Sequence, residues 1–244
     1  MFSRGTEDQG RVMYDYVLGL YDFLERIVTR YPDLLIEGCS GGGGRFDAGM
    51  MYYTPQIWCS DNTDALDRLQ IQYGTSFGYP VSAVGSHVSA VPNHQTGRIT
   101  SLHTRGVVAM AGTFGYELNL GKLSEEEKQE IRLQVEEYRK FAPLIQTGLY
   151  YRLSDPAREE YAAWAFVSED QKEVLLNVVL QEIHGNMTVN YVKLQGLNVV
   201  RSIVTRKQER AIMVQHLWKQ EFRCLWKWEN SRHTRCIWQQ KSRV

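Results

Sequence analysis

The chain has 244 residues, 43% of them hydrophobic and 23% charged, which fits one large globular domain or two small ones and excludes a disordered chain. No apolar run approaches the ~20 residues of a membrane-spanning helix, and the opening MFSRGTEDQG lacks the apolar core of a signal peptide. Net charge is zero but unevenly spread: residues 201–244 hold eleven Lys and Arg against three Asp and Glu, a net of +8, so the first 200 residues carry −8. Cys39, Cys59, Cys224 and Cys236 form no C-x-x-C pair and suggest neither a zinc site nor a disulfide framework, so a cytoplasmic protein without a metal or cofactor is expected.

Residues 10–31 read as a helix, with Val17, Leu20, Tyr21, Leu24, Ile27 and Val28 on one apolar face. Pro32 ends it at Tyr31. Leu34-Leu35-Ile36 and Gln56-Ile57-Trp58-Cys59 are short apolar runs of the kind found in buried parallel strands. Each ends in small or polar residues, Cys39-Ser40-Gly41 in one case and Ser60-Asp61-Asn62 in the other. Four consecutive glycines, Gly41 to Gly44, suit either a sharp backbone bend beside a ligand or a flexible surface loop. They are not a Walker loop, because Arg45-Phe46 stand where Gly-Lys-Ser/Thr would be needed, and a dinucleotide loop would space its glycines.

A helix from about Thr63 to Gly74 follows, with Ala65, Leu66 and Leu69 inward. Asp61 lies just before it. Its plainest role is the helix N-cap, the stronger reading on spacing alone. Asn62 or Thr63 would cap as well, leaving Asp61 free to point into a pocket. Val81 to Ser86 reads as a third strand, Ile99 to Ala111 as a helix and Thr113 to Glu117 as a fourth strand. The intervening loop Ala90 to Arg98 looks like an active-site rim. His87, His94 and His103 fit no common metal spacing and read first as structural, His87 being the better functional candidate because it ends a strand.

Ser124-Glu125-Glu126-Glu127 is a capping box opening a long helix to about Phe141. After Gly148 the texture turns β-like: Leu149 to Leu153, Tyr161 to Val167, Lys172 to Leu180 and Met187 to Leu194 are strand candidates, with Trp164 and Phe166 as core. Beyond about Val200 neither a period of two nor of 3.6 persists. That basic, tryptophan-rich tail is either a nucleic-acid arm, which nothing earlier in the chain supports, or unselected sequence from a reading-frame slip. Sequencing the source DNA through that codon separates the two.

The segments CSGGGGRFD, PQIWCSDNTDALDRLQIQYGTSFGYP and GSHVSAVPNHQTGR resemble glycoside hydrolase family 36, the microbial α-galactosidases, and the resemblance runs from about Tyr14 to about Val200. It implies an α/β fold: residues 1–147 as strands five to eight of a partial (β/α)8 TIM barrel, residues 148–200 as the start of a small antiparallel β-domain, and 201–244 as an atypical tail. It implies retaining hydrolysis of terminal α-D-galactosyl residues of melibiose and raffinose-type sugars, with Asp61 as general acid/base and Cys39, Ser40, Gly41 and Gly42 lining the galactose site. A general acid must be protonated when substrate arrives, which a dry apolar wall favours; Trp58, Tyr52 and Tyr53 are candidates for that wall or simply for the core.

In the family the nucleophile is an aspartate in a Lys-Trp-Asp segment, and here Lys227-Trp228 is followed by Glu229. The resemblance therefore implies a C-terminal fragment that lacks its nucleophile, is inactive alone and exposes strand edges. The whole family member is expected to be a homo-oligomer with an α-galactoside substrate and no nucleic-acid or membrane partner. A related α-N-acetylgalactosaminidase or raffinose synthase is a variant of the same reading. The alternative from another class is a non-catalytic galactoside-binding or assembly fragment.

Overall fold

The computed structural model describes residues 8–44, 46–182 and 190–197, and beyond them the backbone of four strands. The chain divides into two compact units, residues 1–61 and 62–244.

In the first unit α1 (Gln9–Arg30) leads to β1 (Glu37–Gly38), α2 (Ala48–Tyr53) and β2 (Gln56–Trp58). The two strands pair in parallel, Glu37 opposite Gln56 and Gly38 opposite Ile57. The strand expected at Leu34–Ile36 starts three residues later, because pairing begins only where β2 offers a partner. α2 was not expected. Asp47 caps it by accepting the Met50 amide at 2.8 Å, and the same carboxylate accepts the Tyr21 hydroxyl at 2.8 Å, tying α2 to α1.

The second unit opens with α3 (Ala65–Thr75), then β3 (Val84–Ser89), α4 (Leu102–Ala109), β4 (Thr113–Glu117) and α5 (Glu125–Thr147). β3 and β4 are parallel, from Gly85 opposite Thr113 to Ser89 opposite Glu117. α5 starts on the expected capping box: the Ser124 hydroxyl accepts the Glu127 amide while the Glu127 carboxylate accepts the Ser124 amide.

Five strands form an antiparallel sheet in the order β5 (Leu149–Arg152), β6 (Tyr161–Val167), β7 (Glu173–Leu180), β12 (His233–Gln239), β9 (Val204–Arg206). A second antiparallel sheet has the order β10 (Met213–Leu217), β11 (Glu221–Trp226), β8 (Asn190–Leu194). Four strands thus occupy the tail in which no periodicity predicts any. Its tryptophan and cysteine side chains lie outside the described residues, as do Met187 to Val189 of the expected strand.

Both faces of β6 and β7 are buried. Ala162, Trp164, Phe166, Leu175 and Val179 pack with Leu69 of α3, Val107 and Val108 of α4, and Phe141 and Ile145 of α5. Ala163, Ala165, Val167, Val174, Leu176 and Val178 pack against Val192 and Leu194 of β8. The molecule therefore has an α/β fold with parallel and antiparallel sheet.

Candidate active site

Within the first unit the glycine run folds back on the end of β2. Gly41, Gly42 and Gly43 hold φ values of +58°, +74° and +99°, a left-handed path closed to ordinary side chains. The turn is closed by the Gly44 amide donating to the Ser40 carbonyl at 2.9 Å and the Phe46 amide to the Gly43 carbonyl at 2.9 Å. A Cβ on Gly42 would stand 2.9 Å from the Asp61 amide nitrogen and 3.5 Å from the Asp61 carboxyl carbon, and one on Gly43 would stand 3.0 Å from the Cys59 carbonyl. The bare backbone of the turn is what allows it to lie against residues 59–61.

The Asp61 side chain is exposed, and its Oδ1 accepts a hydrogen bond from the Trp58 indole at 3.0 Å. Trp58 itself is buried, so it serves as an anchored donor that fixes the carboxylate's orientation. Cys39 is an exposed free thiol beside this turn, Cys59 a half-buried one, and Ser40 is half-buried with its carbonyl spent on Gly44. Tyr53 stacks on Tyr21 of α1 at 5.8 Å between ring centroids, and Tyr52 meets Tyr53 edge-on at 4.9 Å. The two tyrosines build the α1–α2 contact.

The helix N-cap is Asp64, and not Asp61, Asn62 or Thr63. Its Oδ1 accepts the amides of Leu66 at 2.9 Å and Asp67 at 3.1 Å. Asp64 is 2% exposed, and its carboxylate also accepts the Thr96 hydroxyl at 2.7 Å and pairs with Arg98, which reaches Asp67 at 3.2 Å. Burial pushes the Asp64 carboxyl up. The Thr96 hydroxyl, the Asp67 amide, the Arg98 charge and the Leu66 amide outweigh it and hold the group below the usual aspartate range. Buried Asn93 completes the loop by accepting the Gln95 and Thr96 amides and donating to Thr63 at 3.1 Å. The rim loop is thus clamped to the start of α3.

The histidines do not converge. His87 on β3 lies 3.7 Å from Glu117 on β4, His103 lies 3.5 Å from Glu130, and His94 is exposed on the rim loop. No group of three or more His, Cys, Asp or Glu suited to a metal ion occurs among the described residues. Nor does any described helix have the length and apolarity to cross a membrane.

Sequence reasoning missed the residues that hold these loops in place. Asp47 and Asp64, the two caps, each precede an apolar run and accept the amides two or three residues on, and that spacing was the available signal.

Comparison with known proteins gives one family. The family model described as Melibiase matches residues 2–148. The bifunctional α-galactosidase/sucrose kinase AgaSK of Mediterraneibacter gnavus is 67% identical over 188 residues, covering 77% of this chain and 20% of its own length. The α-galactosidase AgaA of Geobacillus stearothermophilus is 53% identical over 192 residues, covering 79% and 26%. Among solved structures, the galactosidase domain of AgaSK superposes with a TM-score of 0.84 at 53% identity over 93% of this chain and 31% of that one. A variant of AgaA in complex with raffinose superposes with a TM-score of 0.84 at 42% identity over 97% and 33%. The chain spans about a fifth to a quarter of the length of these curated relatives. It belongs to the Melibiase family, within glycoside hydrolase family 36.

Proposed function

We propose that the chain supplies the acid/base part of a retaining α-galactosidase, an enzyme releasing terminal non-reducing α-D-galactosyl residues from melibiose and raffinose-type oligosaccharides. Asp61 is its general acid/base, and Cys39, Ser40, Gly41 and Gly42 bound the galactose site. The observation that carries this reading is the turn of left-handed glycines laid against Asp61, a carboxylate held by the Trp58 indole and not spent on capping α3, which Asp64 does.

Retaining hydrolysis needs two carboxyl groups about 5–5.5 Å apart. One attacks the anomeric carbon. The other gives its proton to the departing glycosidic oxygen, then takes a proton from the water that frees the sugar. Because the Trp58 indole donates to Oδ1, the transferable proton of Asp61 belongs on Oδ2. The nucleophile comes from residues outside these 244, so this chain by itself does not turn over.

In this reading β1 to β4 are strands five to eight of a (β/α)8 barrel within residues 1–147, and residues 148–200 begin a terminal β-domain. The working enzyme is a cytoplasmic homo-oligomer that binds neither nucleic acid nor membrane.

The test replaces the matching segment of the AgaSK galactosidase domain with residues 8–197. The chimaera is expected to hydrolyse raffinose. Asp61→Asn should lower that rate by about 10²–10⁴-fold. An aryl galactoside with an acidic phenol needs no protonation to depart, so it should still release a burst of phenol, and azide should restore its turnover as galactosyl azide. Equal losses on both substrates would remove Asp61 from the acid role. A chimaera that binds galactose but does not hydrolyse raffinose would favour a non-catalytic galactoside-binding fragment.

A further inference from the structure

A buried cation on α4, Arg105, is used by none of the chemistry proposed for Asp61. It is 5% exposed. No carboxylate forms an ion pair with it among the described residues: Glu127 is engaged in the α5 capping box, and Glu130 lies 3.5 Å from His103. Burial pulls the guanidinium below its ordinary value, and the charges of Glu127 and Glu130 offset this only in part. A buried charge without a buried counter-charge costs stability. An apolar side chain of similar length would fill the space without that cost, so packing alone gives no reason for an arginine here.

Its donors go to the main chain. Nε donates to the Thr100 carbonyl at 3.0 Å, and Nη1 donates to the Ser89 carbonyl. Ser89 is the last residue of β3, and Thr100 immediately precedes Ser101, the N-cap of α4. These are the two feet of the rim loop. The guanidinium closes the loop at its stem, a task suited to a rigid planar fork of donors. The stem in turn holds another segment. The Ser89 hydroxyl donates to the Thr63 carbonyl at 3.1 Å, and Asn93 inside the loop donates to the Thr63 hydroxyl at 3.1 Å. Thr63 is 7% exposed and stands two residues after Asp61 in the chain. Asp61 is thus held on its upstream side by the Trp58 indole, and its backbone is held downstream at Thr63.

We infer that Arg105 is a positioning residue for the acid/base step: by joining the two feet of the rim loop it fixes Ser89 against Thr63, and so sets the position from which Asp61 gives its proton. The inference rests on the proposed role of Asp61. Amide exchange reads the stem without turnover, so the two fail separately.

In the 244-residue chain, Arg105→Met should quicken amide exchange at residues 93–98. Val107→Ala, which removes packing from the same helix without touching the stem, should not. In the chimaera, Arg105→Met should lower kcat on raffinose by about 10–100-fold, the loss expected when a reacting group is displaced by near 1 Å. It should spare the phenol burst of the aryl galactoside, whose departure needs no acid. Arg105→Lys keeps the charge and loses the fork, and should show the same split. Ser89→Ala cuts the side-chain link to Thr63 while keeping the Ser89 carbonyl, and should again lower raffinose turnover and spare the burst. If the arginine variants do not fold, Ser89→Ala decides by that split. Val107→Ala should lower the melting temperature and act equally on both substrates. Equal losses on the two substrates for the arginine variants, or the same split from Val107→Ala, would make Arg105 a structural residue and overturn the inference. Unchanged exchange at 93–98 in Arg105→Met, or raffinose turnover left intact by Ser89→Ala, would overturn it as well.

Discussion

Gly41 and Gly42 share a left-handed backbone, yet substitution should separate them. A Cβ on Gly41 meets nothing within 4 Å, while one on Gly42 runs into the Asp61 amide. Alanine at either position pays the conformational penalty of about 1 kcal/mol. Only Gly42→Ala must also shift Asp61, and a displacement near 1 Å at a reacting group lowers rates by up to about 100-fold. In the chimaera, Gly41→Ala should therefore lower the melting temperature and, standing at the galactose site, raise KM while leaving kcat close to its parent. Gly42→Ala should also lower kcat. Equal kcat for the two variants would mean that the turn does not position the carboxylate. At this scale the sequence was readable in part. The glycines and Asp61 stand out as letters, but the choice among Asp61, Asn62, Thr63 and Asp64 as cap depends on which side chain turns back to the helix amides. Four adjacent capping residues leave no trace of that choice.

The element most open to test is the start of α3 with its clamped loop. Asp64 satisfies two helix amides, the Thr96 hydroxyl and Arg98 at once, so Asp64→Asn should cost about 1–3 kcal/mol at neutral pH. The folded carboxyl titrates below its unfolded value of about 3.9. A lowered folded value means that the stabilisation is complete above that pH and is lost as pH falls through the folded value. Denaturant melts should thus show a gap between parent and Asp64→Asn at pH 7 that narrows below pH ~4. A gap unchanged down to pH 2 would show that the charge contributes nothing. Elements with local signals were legible: the capping box of α5, and the strands at Thr113–Glu117 and Tyr161–Val167, lie where the sequence puts them. Those fixed by a distant partner were not. β1 is set by β2, and β12 lies along β7 with His233 opposite Val179, a pairing across more than fifty residues that no local period records.

At the scale of the whole molecule, the boundary most visible in the sequence is Gly148, where helical texture gives way to strands. The side chains do not respect it. Phe141 and Ile145, in the last turns of α5, share one apolar cluster with Trp164, Phe166 and Leu175 beyond it. Each large side chain in that cluster contributes about 2–5 kcal/mol against truncation to alanine. Residues 1–147 made alone should consequently melt without a sharp transition and bind a hydrophobic dye, while the longer chain unfolds the cluster in one step. A sharp calorimetric transition for 1–147 would refute this.

That shared cluster also limits how such a protein can change over time. A recombination event or an engineer cutting at residue 148 would trade a clean junction in the text for a torn interior. Exchange of modules between relatives therefore has to carry α5, β6 and β7 as one inherited block, with crossovers tolerated in the exposed turns on either side.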